Sequence, residues 1–148
     1  MDAIVMLKED HKQVEQLFKK LEKGDLSVVP EICDALTLHA QLEETLFYPE
    51  VRTEVEDAAD DVYEAVEEHH LVKILVSELQ EMSDADEAYK AKATVLTELV
   101  RHHVEEEEGE MFPEVRAALK RKRLQEIGEK MAAVKDRVAG PDATQPTR

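Results

Sequence analysis

Apolar residues recur along this chain at three- and four-residue spacing, the period of a helix that buries one face. In the first segment they fall at Ile4, Leu7, Val14, Phe18 and Leu21, which predicts a helix from Asp2 to Lys23. Gly24 is placed to close it and Ser27 to open the next, since glycine accepts a left-handed backbone and a serine hydroxyl accepts from free amides. The stripe resumes at Ile32, Leu36, Leu42 and Leu46, predicting a second helix over Val28 to Val51. Pro30 is tolerated in its first turn, and Pro49 ends or kinks it. A third helix is predicted from Glu56 to Met82, followed by a break at Ser83 to Asp86. The fourth runs from Glu87 to Leu119 with a kink or pause at Gly109 and Pro113, and a fifth runs from the basic Lys120–Arg123 patch to Val138. No segment alternates with period two long enough to make a strand. Long amphipathic helices with short connections predict an all-α, up-down-up-down four-helix bundle with a short C-terminal fifth helix. Residues 1–138 then form one domain, the bundle over about 2–119 and the fifth helix over about 120–138, and residues 139–148 are expected to be a disordered tail.

Composition narrows this picture without changing it. A chain of 148 residues with four glycines, five prolines and abundant Glu, Lys, Ala, Leu and Val suits one helical domain. Its net charge of -16 argues against nucleic acid or anionic membrane as partners, because both need clustered Lys and Arg. There is no long uncharged apolar run and no basic N-terminal region followed by an apolar block, so neither a membrane span nor a secretory signal is expected. The single cysteine, Cys33, excludes an internal disulfide framework and suits a reducing compartment, so a cytoplasmic location is expected.

The chemistry lies in what interrupts the apolar stripes. His11 stands in the register of Leu7 and Val14; His39 follows Leu36 and precedes Leu42 and Glu43. His69 lies between Val66 and Val72, and His103 follows Leu99 and precedes Glu107 and Met111. Each of the four helices thus puts one histidine on its inward face, and two add a glutamate one turn later. One such histidine is commonly a hydrogen-bonded core residue. Four at matched depth, two of them followed by glutamate, are hard to obtain that way.

An internal repeat supports the same reading. Asp10-His11 with Val14, Leu17, Phe18 and Leu21 matches Glu68-His69 with Val72, Leu75, Val76 and Leu79. His39-x-x-x-Glu43 before Phe47-Tyr48-Pro49-Glu50-Val51 matches His103-x-x-x-Glu107 before Met111-Phe112-Pro113-Glu114-Val115. One two-helix hairpin is written twice, and its register selects His69 over His70 and His103 over His102 as inward residues. Two hairpins packed about a pseudo-twofold axis bring all six side chains to one centre. Buried carboxylates facing each other are costly unless compensated. A pair of cations removes the penalty, and imidazole with carboxylate suits iron, manganese or zinc. Leu7, Val14, Phe18, Leu46, Phe47, Val76 and Met111 are expected to wall a small apolar pocket sized for a diatomic or a peroxide.

These residues resemble the hemerythrin-like, or HHE cation-binding, proteins over about residues 2–119. The resemblance implies a four-helix bundle with a non-haem centre of two iron ions, oxo- or hydroxo-bridged, held by His11, His39, Glu43, His69, His103 and Glu107. Oxygen-carrying hemerythrins have a further histidine four residues after the third, where this chain has Lys73. They also have an aspartate five residues after the last histidine, where it has Glu108. The resemblance therefore points away from reversible oxygen carriage and toward small oxidants as partners: hydrogen peroxide, oxygen or nitric oxide. Catalase-like peroxide consumption is the enzymatic form of this reading. A non-catalytic oxygen or iron sensor, store or carrier is the alternative, and a bundle held by structural zinc is a third. A ferritin-like centre fits less well, because those bundles use Glu-x-x-His pairs.

The remaining residues are assigned bland roles. His70 and His102 are rotated about 100° from the ligand register and are expected at the surface or behind the ligands. Glu105, Glu106 and Glu108 read as a solvated acidic face, and Glu15 and Glu44 as exposed. Cys33 reads as an ordinary buried thiol. Tyr48 points away from the ligand face of an ideal helix, although a kink at Pro49 would change that. Lys120 to Arg123 reads as a solvated helix start.

Overall fold

The computed structural model describes residues 1–139, so the predicted tail lies, from position 140 on, outside the described residues. The first helix, α1, spans Ala3–Glu22, capped by the Asp2 carboxylate, which accepts from the Val5 amide at 2.9 Å. Gly24 has φ of 101° and turns the chain in the left-handed region that glycine tolerates. Asp25, rather than Ser27, provides the next cap: its carboxylate accepts from the Ser27 amide and opens a short 3-10 turn, Leu26–Val28. Helix α2 is Val29–Leu42, with Pro30 in its first turn.

The predicted second and fourth helices are each divided in the same way. A π-turn, Glu43–Phe47, separates α2 from α3, Tyr48–Glu54. In the other half a π-turn, Glu107–Met111, separates α5, Glu87–Glu106, from α6, Phe112–Ala118. Both precede a proline whose missing N–H interrupts the α-helical ladder. The amides of Tyr48 and Phe112 instead donate to the carbonyls of Glu43 and Glu107, five residues back. The predicted third helix starts with a 3-10 turn, Glu56–Ala58, and continues as α4, Ala59–Gln80. Helix α7, Arg121–Val138, ends the described chain.

Helices α1, α2, α4 and α5 form the bundle; α2 packs on α1 and α4, and α4 packs on α5. Its core has two apolar parts. One contains Ile4, Leu7, Leu42, Phe47, Val51, Val62, Met111 and Val115. The other contains Val14, Phe18, Ile32, Leu36, Val76, Leu79 and Leu96, with the buried Cys33 among them. The four inward histidines and Glu43 and Glu107 lie between these parts as a buried polar layer.

Helix α7 packs along α1, burying Leu124, Ile127 and Met131. Its basic start is not simply solvated: Arg123 pairs with Glu50 and, at 3.3 Å, with Glu54. The close approach depends on Gly128, where a Cβ would lie 2.3 Å from the Met1 carbonyl oxygen and 2.9 Å from the Ala3 nitrogen. Backbone atoms cannot step aside as a flexible side chain can. Gly128→Ala is therefore expected to destabilise the protein by roughly 1–3 kcal/mol, read as a lower thermal midpoint. An unchanged midpoint would show that α7 is not seated there.

Candidate metal centre

The six inward residues form two overlapping groups. His11, His39, Glu43 and Glu107 converge on one position, and His69, His103, Glu43 and Glu107 on another, the ligand atoms in each lying within 4.8 Å of one another. The glutamates belong to both. Glu107 Oε1 lies 3.2 Å from His11 Nε2, while Glu107 Oε2 lies 3.2 Å from His103 Nε2. Glu43 Oε1 lies 3.2 Å from His39 Nε2 and 3.0 Å from His69 Nε2. The ring pairs repeat the hairpin symmetry: His11–His39 centroids are 4.9 Å apart at 60°, and His69–His103 centroids 4.8 Å apart at 59°.

Each ring is oriented from behind by a carboxylate. Asp10 accepts from His39 Nδ1 at 2.9 Å, and Glu68 from His103 Nδ1 at 2.6 Å, within each hairpin. Between hairpins, Glu44 accepts from His69 Nδ1 and Glu108 from His11 Nδ1, both at 2.6 Å. A proton held on Nδ1 leaves the lone pair of Nε2 facing the centre, the arrangement that metal-ligating histidines adopt. Glu44 and Glu108 are thus half-buried partners of the histidines rather than exposed residues. Lys73, where oxygen-carrying hemerythrins have a further histidine, donates to Glu44 at 2.6 Å, and Lys135 of α7 donates to Asp10. Glu15 is only partly exposed, and both its oxygens accept from Arg101. His70 and His102 are exposed, as their register predicts.

The centre has the properties of a cation site. Nε2 of His11 and His39, Oε2 of Glu43 and Oε1 of Glu107 are buried without a hydrogen-bond partner, an expensive condition unless an ion satisfies them. Six carboxylates touch or back the rings, and Lys73 and Lys135 offset two of them. Two divalent cations would match the remainder. Without them the histidines must carry protons. Burial pulls His39 down, but Glu43 and Asp10 together push it up to about 10. His103 is likewise raised by Glu107, Glu43 and Glu68 against its burial. Glu43 is held well below the usual carboxylate range by His39 despite complete burial.

Tyr48 departs from its position on an ideal helix. The π-turn shifts the side chains beyond it around the helix axis, and the Tyr48 hydroxyl enters the centre. It donates to Glu107 Oε2, lies 3.1 Å from Glu43 Oε1, and comes within 3.3 Å of His103 Nε2 and 3.4 Å of His69 Nε2. Burial and the two carboxylates raise its ionisation well above the usual phenol range. Its repeat partner is Phe112, which stacks on His11 at 6.0 Å. The two cation positions are therefore chemically unequal.

A pocket of about 430 Å³ opens onto all four histidines from the side of α1 and α5. Of the residues expected to wall it, Val14 and Phe18 do so. Leu7, Phe47 and Met111 lie in the opposite half of the core, with Leu46 packed on it, and Val76 stands further along the near half. Leu36, Ala40, Val72 and Val100 complete the wall instead.

A helical bundle with a shared histidine–carboxylate layer defines a class of bundle-core metal proteins. Within it, this chain belongs to the hemerythrin HHE cation binding domain family, which matches residues 2–115. A crystal structure of a hemerythrin HHE cation-binding domain-containing protein from Mycobacterium kansasii is similar, with a TM-score of 0.77 and 26% identity, covering 93% of this chain and 86% of that one. A curated protein from Nostoc sp. described as a DNA nickase is 27% identical over 138 residues, or 90% of this chain. The chain spans 39% of that relative's length.

Cation loading must displace the protons held by raised histidines such as His39. Loading is thus expected to release protons at neutral pH, and apparent affinity to fall as pH falls below about 10. Titration of the metal-free protein in two buffers of different ionisation heat measures the release; no release would contradict protonated histidines. Glu44→Gln and Glu108→Gln are each expected to weaken metal affinity by about 10- to 100-fold, as read by competition with a chelator.

Proposed function

We propose that this is a non-haem di-iron protein that binds and reacts with small oxidants, hydrogen peroxide foremost, with oxygen and nitric oxide as related ligands, in oxidative or nitrosative stress. In this proposal His11 and His39 would hold one iron and His69 and His103 the other, with Glu43 and Glu107, common to both groups, available to each. The observation that carries the reading is the pair of four-residue groups sharing two glutamates beneath an open pocket. An iron pair, when bound, supplies two-electron redox chemistry within one site.

The surrounding residues have distinct tasks. Asp10, Glu44, Glu68 and Glu108 fix the rings so that Nε2 faces inward. Val14, Phe18, Leu36 and Val72 present an apolar approach to the histidines. Tyr48 keeps its phenolic proton and donates it as a hydrogen bond at the centre. Tyr48 does not line the pocket and reaches the centre from the opposite half of the core, so in this proposal it steadies the shared Glu107 from behind.

The alternative is a binding module that senses, stores or carries oxygen or iron without turnover. It is favoured by the Nostoc relative, where a region like this chain is part of a longer protein. DNA cleavage is not carried over, because a net charge of -16 opposes approach to a phosphate backbone.

Protein purified without chelators is expected to hold about two irons per chain, to absorb in the near ultraviolet and visible, and to release oxygen when peroxide is added. His11→Ala and His69→Ala are expected to abolish release and lower iron content; full activity in either would defeat the assignment. Two irons without turnover would favour the binding module. Zinc alone, with no redox response, would reject both iron readings. Tyr48→Phe should keep its iron, since Phe112 occupies the matching place, and lower turnover by releasing Glu107; unchanged turnover would show that this hydrogen bond has no part in the chemistry.

A further inference from the structure

The pocket over the histidines is larger than hydrogen peroxide or a diatomic requires. Such a molecule needs little more than the share of one water, about 30 Å³. The pocket holds about 430 Å³, within the roughly 300–1,000 Å³ of organic-ligand sites. At about 30 Å³ each, roughly ten non-hydrogen atoms fit with space left over. Val14, Phe18, Leu36, Ala40, Val72 and Val100 supply apolar wall, and the four histidines lie at one end.

The charges indicate what kind of polar end would enter. The carboxylates of the centre, offset in part by Lys73 and Lys135, already balance two divalent cations, so a bound anion is not required. At the rim Lys12, Lys19 and Arg101 stand among Glu15, Glu105 and Glu108, so neither sign of charge prevails, and Arg101 is already engaged. Its guanidinium donates to both oxygens of Glu15 and to Glu22, and it lies 5.7 Å over the Phe18 ring. The site therefore favours a neutral molecule with an apolar body and one small polar terminus.

We propose that this pocket binds organic hydroperoxides of about ten non-hydrogen atoms, their hydrocarbon against Val72 and Val100 and their peroxide end at the histidines. This rests on the peroxide reading of the metal centre and names its substrate class, two hydroperoxides giving two alcohols and one oxygen molecule with no outside reductant. The probe is cumyl alcohol, the unreactive alcohol corresponding to cumene hydroperoxide, titrated calorimetrically into the iron-loaded full chain. Saturable binding of one molecule per chain with a negative heat-capacity change is expected. Val100→Phe should weaken it at least tenfold with metal content unchanged. Because Val100 is buried, Val104→Phe at the half-buried edge is measured beside it and should weaken binding in the same direction. No saturable binding, or binding unaltered in both variants, overturns the proposal. The two readings separate cleanly: hydrogen peroxide consumed without alcohol binding rejects this pocket assignment alone. Alcohol bound without consumption of either peroxide supports the pocket and rejects the peroxide chemistry.

Discussion

Two glutamates with almost no exposure face one another in the middle of this bundle, and the rest of the structure answers to that constraint. Glu43 and Glu107 are 0% and 1% exposed, where an uncompensated charge costs several kcal/mol. Protons or cations must therefore accompany them, and four histidines surround them in positions that accept either. The carboxylates behind the rings and the lysines behind two of those carboxylates extend the balance outward. Charge alternates from the centre to the surface: glutamate pair, imidazoles, outer carboxylates, lysines. With a carboxylate behind every ring, and cations or protons to satisfy the unpartnered atoms at the centre, the polar core is tolerable within an apolar bundle.

The hairpin repeat gives this arrangement its economy, and the departures from the repeat give it direction. Both halves use the same ligand order, the same π-turn before proline and the same backing carboxylates. Yet Tyr48 carries a hydroxyl into the centre where Phe112 brings only a ring. The lysines differ as well, Lys73 arising from α4 and Lys135 from the added helix α7. The pocket opens on the side of α1 and α5. A doubled hairpin thus makes an approximately symmetric pair of four-residue groups onto which a pocket opens from one side, with the phenol lying closer to one group than to the other.

Where sequence and structure differ, the causes are identifiable. Extending one helical period through Pro49 turns Tyr48 outward, whereas the π-turn breaks that period first. Glu44 and Glu108 look like solvated members of acidic runs because each follows an inward glutamate. Each in fact crosses to the other hairpin, so its partner lies far away in sequence, and spacing within one helix cannot reveal it. Their recurrence after Glu43 and Glu107, like that of Asp10 and Glu68 before the first histidine of each hairpin, is the signal the sequence offers. The pocket wall differs for a related reason. Residues equally distant from a ligand along a helix can lie on either side of the polar layer, and only one side is open.

The periodic part of this protein is legible in its sequence: the all-α class, the order of helices, the inward register of His11, His39, His69 and His103, and the pairing of two of them with Glu43 and Glu107. Those features follow from local geometry, because a helix carries its own period wherever it packs. Packing between remote segments settles the rest. It sets which carboxylate backs which ring, brings α7 onto α1 at Gly128 so that Lys135 reaches Asp10, and fixes where the pocket opens, while the π-turn brings Tyr48 inward. These depend on distances between segments far apart in the chain and on backbone irregularities, and no periodic pattern in one segment encodes either.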